Sequence, residues 1–479
     1  MSSASNVRPP ADPVLVKIAE YVLRGPPEST LAYETARHAI FDSMGCALLA
    51  LNFPECVRRL GPIAPEIPCD GVAVPGTEWR LDPVQAAFNL GAMIRWLDFN
   101  DTWLALEWGH PSDNFAAILS AADYLSRVRG TTVIARQVLD AAIAAYEIQG
   151  VLAIENSFNK HGLDHVLLVR VASAAVTAKM LGGTKDQVLA AISNAWADGG
   201  ALRVYRQAPN TGPRKSWAAG DASSRGLWHA FQALRGECAY PSVLTNPSWG
   251  FSRVCLFGEP LRLDQALEAY VMENILFKVS FPAEFHAQTA VEASLKLHPK
   301  LAGSLDEIQK IRIRTQRSAV RIIDKSGPLH NAADRDHCLQ YMVAVPLIFG
   351  ELTAEHYEDE TAADPRIDAL RSKMTVEEEP RYSKDYLDPA KRSIANSVAI
   401  EMRNGTVLGP AEVEYPIGHR SRRAEALPLL IEKFRRNLNG RLSAERIDDL
   451  VALWAEPDRF DGMAVPEFLD LFAPGQASS

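Results

Sequence analysis

The residues best suited to acid–base chemistry are concentrated between Arg95 and Asn114. This stretch contains three tryptophans, three carboxylates ahead of His110, and a His-Pro-Ser turn. Ser112 is expected to cap the helix that follows, with Asp113 in the first turn of that helix. His110 would then lie just before a helix N-terminus, where the helix dipole favours the neutral imidazole that a general base needs near pH 7.

The same residue types can also be purely structural. Aromatic side chains between two helices often complete a core, and an aspartate beside a threonine can simply cap a turn. Further along the chain, a lone loop lysine such as Lys215 is most often solvated, and a histidine on an apolar helix such as His286 is most often part of the core. Residue types alone therefore leave both interpretations open.

The composition restricts the class of protein. The chain has 479 residues, of which 47% are hydrophobic and 23% charged, and this is typical of a globular protein with more than one domain. Its formal net charge of −9 argues against nucleic-acid binding. The N-terminus lacks the apolar core of a signal peptide, and no segment reaches the roughly 20 apolar residues of a membrane span. We expect a cytoplasmic protein with no nucleic-acid or membrane partner.

The cysteines and histidines do not form a metal-binding motif. The six cysteines include no Cys-x-x-Cys pair, so neither a zinc knuckle nor an iron–sulfur cluster is indicated. His161 and His165 have the spacing of zinc ligands on a helix, but Gly162 lies between them and no HExxH motif is present. We therefore expect no metal and no other cofactor.

Helical periodicity dominates the first part of the chain, residues 1–277. The segment Val133–Asn156 is apolar nearly all round, which predicts a central core helix. Other predicted helices cover residues 13–23, 32–51, 84–94, 114–128, 166–181, 185–196 and 217–234. Residues 201–220 are polar and predicted to form a loop.

Strand patterns appear in the next part, residues 278–420. Residues 308–316 alternate between apolar and polar, and residues 397–403 and 406–415 flank an Asn-Gly pair, which is a strong hairpin signal. Residues 373–377 form a further candidate strand. Helical periodicity returns after residue 420, and Ser443 is expected to cap a helix in this region. The sequence thus predicts a mainly α fold, with a smaller α+β lid domain at 278–420 that contains an antiparallel sheet. Residues 421–479 are expected to rejoin the helical domain, leaving an active-site cleft between the two domains.

Four motifs resemble the MmgE/PrpD family. The strongest is WLDFNDT at 96–102 followed by GHPSDN at 109–114, and the others are GLDH at 162–165, GPRK at 212–215 and the segment from Lys278 to His286. The resemblance extends over nearly the whole chain in length and in the order of its helical and sheet regions. The last motif departs from the family pattern, because no proline follows Lys278 and the spacing from this lysine to His286 is shorter by one.

The resemblance implies a set of site residues. Carried over position by position, the catalytic candidates are Asp98, Thr102, His110, His165, Lys215 and His286. Arg206, Arg214 and Lys278 are expected to bind substrate carboxylates. We expect Asp98, His110, His165 and Lys215 to converge in one pocket between the helical and sheet domains.

The resemblance also implies an activity. It indicates a metal-independent hydro-lyase that converts the tricarboxylate 2-methylcitrate to 2-methyl-cis-aconitate in the methylcitrate cycle of propionate breakdown, with possible action on citrate or cis-aconitate, and a homodimer. Such a dehydration needs a base, an acid and cations that stabilise enolate-like charge. The family also contains a cis-aconitate decarboxylase and an epimerase, and a non-catalytic helical binding protein is the alternative from another class. The long segment between Thr102 and His110 favours dehydration.

The absence of a metal-binding motif generates the first prediction. Turnover of 2-methylcitrate should survive exhaustive chelation and anaerobic handling without added iron, because no matched ligand set is present. The measurement is the dehydration rate before and after treatment with a chelator. A loss of activity that one specific metal restores would contradict the prediction.

Overall fold

The protein is described by a computed structural model that covers residues 6–67, 69–301 and 303–474. It is mainly helical, with a small four-stranded sheet. The helices are α1 (Pro13–Arg24), α2 (Thr30–Ala50), α3 (Pro54–Val57), α4 (Pro83–Arg95), α5 (Phe115–Asp123), α6 (Ala135–Glu155), α7 (Val166–Met180), α8 (Lys185–Ala197), α9 (Arg214–Leu234), α10 (Phe251–Cys255), α11 (Tyr270–Glu273), α12 (Gln288–Leu301), α13 (Arg317–Ile323), α14 (Ala332–Arg335), α15 (Leu339–Phe349), α16 (Asp359–Ala362), α17 (Pro365–Arg371), α18 (Pro380–Leu387), α19 (Arg423–Leu438), α20 (Ala444–Trp454), α21 (Pro457–Asp461) and α22 (Val465–Asp470). The strands are β1 (Val72–Ala73), β2 (Arg80–Leu81), β3 (Trp103–Leu104), β4 (Trp108–Gly109), β5 (Ile308–Thr315), β6 (Met374–Glu378), β7 (Asn396–Met402) and β8 (Val407–Val413).

Helices α6 and α7 form the middle of the largest core. Both are buried along most of their length, as the all-round apolar pattern of α6 predicts. Contrary to the expectation that no segment is apolar enough, α6 is, within the described residues, the one helix long and apolar enough to cross a membrane. However, 78% of its most apolar window is buried inside the protein. Its apolar composition is therefore accounted for by packing within the fold.

Two glycines allow α9 to pack closely against its neighbours. A Cβ atom on Gly220 would lie 2.3 Å from the carbonyl oxygen of Phe88 in α4, and a Cβ on Gly226 would lie 2.7 Å from the carbonyl oxygen of Arg170 in α7. Glycine lowers intrinsic helix propensity, yet here it permits helix backbones to approach. Helix α9 consequently runs unbroken and begins at Arg214, three residues before its predicted start.

The main sheet has the strand order β6-β5-β7-β8. The pairs β5–β7 and β7–β8 are antiparallel, and the β7–β8 hairpin turns at Asn404-Gly405 as predicted, with Gly405 at a φ of +83°. However, β6 pairs with β5 in parallel, so the sheet is mixed and the expectation of an antiparallel sheet was wrong for this edge. The reason is the connection: helices α13–α17 lie between β5 and β6 and return the chain in the same direction.

The C-terminal helices pack on the first part of the chain. Phe434 of α19 contacts Phe41 of α2 with a ring-centroid distance of 5.8 Å, and Ser443 caps α20 as the sequence predicts. These helices share the large hydrophobic core of the N-terminal helices, whereas a second core is built from residues between 281 and 413.

The close approach at Gly220 generates a stability prediction. Gly220→Ala should lower the free energy of unfolding by about 1–3 kcal/mol, because the new methyl group meets backbone atoms of α4 that cannot move aside. Chemical denaturation monitored by circular dichroism would measure the change. Gly462→Ala is the control, since its Cβ would lie 3.5 Å from the nearest atom, an ordinary contact. Equal stability of Gly220→Ala and the wild type would refute this account of the helix contact.

Candidate active site

The stretch between α4 and α5 folds back on itself through the short hairpin β3–β4. Trp103 pairs with Gly109, and this pairing brings the side chains of Thr102 and His110 to 3.3 Å. At the hairpin tip, the buried carboxylate of Glu107 accepts hydrogen bonds from the backbone amides of Phe158 and Asn159, which follow α6. The carboxylate of Glu107 therefore fixes the hairpin to the helical core.

Asp98 lies at the centre of a buried ion-pair network. Its backbone has a φ of +49°, a conformation that is uncommon for residues other than glycine. Its carboxylate pairs with Arg95 and with the Lys278 ammonium, the latter at 2.9 Å, and lies 3.5 Å from Nε2 of His110. Burial opposes the negative charge, but Arg95 and Lys278 outweigh it and hold the pKa of Asp98 well below its usual range. Asp98 is consequently ionised.

His110 is held as a neutral base. Its Nδ1 lies 2.6 Å from the carbonyl oxygen of Asp101, and because a carbonyl can only accept, Nδ1 carries the proton. Nε2 is left with a lone pair. Burial, followed by the charge of Arg95, lowers the pKa of His110 well below its usual value. The neutral imidazole that the sequence analysis attributed to a helix dipole thus has a different main cause.

The Asp101 side chain explains how the His110 loop is fixed. Ser112 does not cap the following helix; it lies inside a 3₁₀ turn, and its hydroxyl donates to the Asp101 carboxyl at 2.6 Å. The Tyr146 hydroxyl of α6 lies 2.6 Å from the other oxygen of the same carboxyl. Burial raises the pKa of Asp101 to about 6. The prediction of a Ser112 cap was wrong because this long-range carboxyl competes for the hydroxyl.

His165 and two arginines supply polar atoms that have no hydrogen-bond partner within the described chain. These atoms are Nε2 of His165, both terminal nitrogens of Arg206 and Nη1 of Arg203. Nε of Arg206 donates a hydrogen bond of 2.5 Å to the Asp164 carboxylate, and this bond orients the Arg206 guanidinium. The Arg203 guanidinium carbon lies 5.0 Å from the ring centroid of Trp108. Buried donors of this kind are normally satisfied. Two guanidinium groups with free donors suit the carboxylates of an anionic ligand.

These side chains line one small pocket. Among the residues predicted from the sequence, its lining includes Asp98, Thr102, His110, His165, Arg206 and Lys278. The lining also includes residues that the sequence-based set of site residues did not contain, namely Arg95, Arg203, Glu284 and His337. The structure thus brings together six of the nine predicted positions.

The three remaining predicted residues lie behind or outside the cavity. Lys215 is buried and donates to Asp336 at 2.7 Å, and it reaches the cavity only through His337, 3.4 Å away. His286 lies behind the wall residue Glu284, with Nδ1 at 2.8 Å from that carboxylate. Arg214 does not contribute to the cavity lining.

Arg214 points elsewhere because of its local partners. It pairs with Asp221 at 3.4 Å and stacks over Trp217 at 4.3 Å on the outer side of α9. Its predicted contact with substrate is therefore not supported by its position. The neighbouring residue Lys215, by contrast, points inward along the same helix turn.

His337 could have been found from a repeated pattern. Asp336-His337 shortly precedes the apolar helix α15, as Asp164-His165 precedes the apolar helix α7. Only Asp164-His165 lies in a family motif, so the resemblance implies a site residue in that pair alone. Glu284 lies two residues before His286, inside the fourth motif.

No group of three His, Cys, Asp or Glu side chains in the described part of the chain is arranged to hold a metal ion. What the cavity offers is a neutral histidine, a paired aspartate and an excess of buried cations. This set is typical of acid–base chemistry on an anionic substrate.

Comparison with known proteins agrees with this class of site. The MmgE/PrpD N-terminal domain model matches residues 16–264 and the C-terminal domain model matches residues 281–456. The chain belongs to the MmgE/PrpD family. It is 56% identical to 2-methylcitrate dehydratase of Cupriavidus necator over 97% of this chain and 98% of the relative.

Two further relatives are also named 2-methylcitrate dehydratase. The chain is 53% identical to 2-methylcitrate dehydratase of Salmonella typhimurium, over 98% of both chains. It is 51% identical to the mitochondrial 2-methylcitrate dehydratase of Yarrowia lipolytica, over 98% of this chain and 91% of the relative.

The environment of His110 generates a pH prediction. A base must be deprotonated, so activity is lost as the pH falls through its pKa. Because that pKa lies below the usual 6.5, the acidic limb of the kcat/KM profile should fall below pH 6.5. Initial rates across a pH series at constant ionic strength would measure the limb. An acidic limb above pH 6.5 would contradict the assignment of His110 as the base.

Proposed function

We propose that this chain is a hydro-lyase that removes water from 2-methylcitrate and forms 2-methyl-cis-aconitate. The observation that carries the proposal is the combination of the His110 base with the unpaired guanidinium donors of Arg203 and Arg206 in one buried cavity. A tricarboxylate requires such cations to stay bound while enolate-like charge develops. The names of relatives at 51–56% identity support the same reaction and do not favour decarboxylation, epimerisation or a non-catalytic binding role.

The geometry supports a division of roles. Nε2 of His110 removes the proton next to a carboxylate, and the Lys278 ammonium gives a proton to the departing hydroxyl, which leaves as water. Burial lowers the pKa of Lys278, which makes it a better acid. Asp98 lies between the two, 3.5 Å from His110 and 2.9 Å from Lys278. The proton that His110 gains can pass through Asp98 to Lys278, so the site returns to its starting protonation state.

The other predicted residues act around this centre. Arg203 and Arg206 bind substrate carboxylates, and Thr102 and His165 orient the substrate. Lys215 acts through His337, and His286 acts through Glu284. Metal independence is part of the proposal and is tested by the chelation experiment above.

The proposal includes an organisation of the chain. We assign residues 1–277 and 421–479 to a helical domain and residues 278–420 to an α+β lid domain, with the site in the cleft between them. The two hydrophobic cores support this division. A homodimer, a cytoplasmic location and a role in the methylcitrate cycle rest on the family resemblance. One relative is named as mitochondrial.

The retention of carboxylates generates a product prediction. Incubation with 2-methylcitrate should produce the absorbance of a conjugated tricarboxylate with no release of carbon dioxide, because Arg203 and Arg206 keep carboxylates paired. Cis-aconitate should at most be hydrated. The measurement combines absorbance with trapping of labelled carbon dioxide. Release of carbon dioxide from labelled cis-aconitate at a rate comparable to 2-methylcitrate turnover would transfer the chain to the decarboxylases.

A further inference from the structure

A fully buried lysine from the C-terminal part of the chain lies directly behind the site. Lys433 of α19 has no solvent-exposed side chain, and its ammonium pairs with Asp42 of α2 at 2.7 Å. The same ammonium donates to the carbonyl oxygens of Phe99 and Lys278, each at 2.7 Å. An ammonium has three donors, and Lys433 uses two of them on these carbonyls while it faces Asp42 across the ion pair. It also lies 3.8 Å from the ring centroid of Phe99.

The two carbonyls that Lys433 holds belong to the centre of the site. Phe99 follows Asp98, whose positive φ is a strained conformation that persists only when surrounding contacts determine it. The Asp98 carbonyl accepts a hydrogen bond from Lys278 at 2.5 Å, and the next carbonyl accepts one from Lys433. Two consecutive carbonyls are therefore each fixed by a buried lysine. Lys433 additionally holds the backbone of Lys278, the partner of the Asp98 carboxylate.

We propose that Lys433 is a positioning residue for the reaction: its ammonium, balanced by Asp42, holds the Asp98–Phe99 turn and the Lys278 backbone at the separation that the Asp98–Lys278 pair requires. The C-terminal helix thereby completes the active site without contacting substrate. The kinetic part of this inference rests on the proposed function. The position of the turn can be measured without substrate and does not depend on that function.

The test compares two buried ion pairs that both join α2 to the C-terminal helices. The double variant Asp42→Asn/Lys433→Met, called the clamp variant below, removes the proposed ion pair without leaving an unpaired charge. The control is the double variant Arg37→Met/Asp461→Asn. It removes an ion pair that is also largely buried, with 3.1 Å between Nη1 of Arg37 and Oδ1 of Asp461, and that does not contact the site. Lys433→Arg keeps the positive charge. However, a planar guanidinium cannot direct donors to both carbonyl oxygens while it faces Asp42.

The kinetic expectation is a separation of kcat from KM. The clamp variant and Lys433→Arg should lose about 100-fold in kcat, the effect of a small misplacement of catalytic groups, with a much smaller change in KM. The control pair should keep wild-type kcat even if its thermal transition falls. Wild-type kcat in Lys433→Arg or in the clamp variant would overturn the proposal, as would an equal loss of kcat in the control pair.

Hydrogen exchange provides a readout that does not depend on activity. Backbone amides of residues 95–104 should exchange faster in the clamp variant and in Lys433→Arg than in the wild type, and at the wild-type rate in the control pair. Unchanged exchange would overturn the positioning role. If the wild type does not act on 2-methylcitrate, the proposed function fails while this readout still decides the inference. If the clamp variant does not fold, Lys433→Arg decides it by both measurements.

Discussion

The rest of the site depends on one constraint, the burial of the Asp98 carboxylate. A charge removed from water must be compensated, and removing one partner from a buried ion pair typically costs 3–5 kcal/mol. Arg95 and Lys278 provide that compensation from two parts of the chain that are far apart in sequence. The need to bring these cations to one carboxylate fixes the relative position of the α4 end and the segment around Lys278. Positioning of the reacting groups is thus a consequence of charge balance.

The surplus of cations beyond Asp98 gives an acidic protein a local site that suits a polyanion. The formal net charge is −9, yet Arg203 and Arg206 are buried at the cavity with unpaired donors. A local positive field in a low-dielectric cavity acts more strongly than the screened surface charges do. Asp164 partly balances Arg206 and in doing so fixes the direction of its guanidinium. The arrangement favours a substrate with several carboxylates over a neutral one.

The same cations add to the effect of burial on the pKa values of the histidines. Burial is the main cause of the lowered pKa of both His110 and His165, and neighbouring arginines lower it further. A neutral imidazole can accept a proton, whereas an imidazolium cannot. The pocket proposed to bind an anionic substrate therefore also keeps His110 in the form that can accept a proton. The buried cations favour both properties.

The sequence by itself determined the features that depend on neighbouring residues. The Asn404-Gly405 turn, the Ser443 cap and the apolar pattern of α6 follow from local conformational preferences, and the 96–114 stretch identified the centre of the site through residue types and family motifs.

Only the tertiary structure decided the features that depend on contacts distant in sequence. The parallel β6 edge follows from a long helical connection, and Ser112 donates to Asp101 because the fold brings that carboxyl within reach. Arg214 and Lys215 are adjacent, yet the packing of α9 sends one to the surface and the other to Asp336. Lys433 is an ordinary lysine in the sequence, and its contacts with Asp42 and the site backbone follow from the packing of α19 against α2, which no local pattern records.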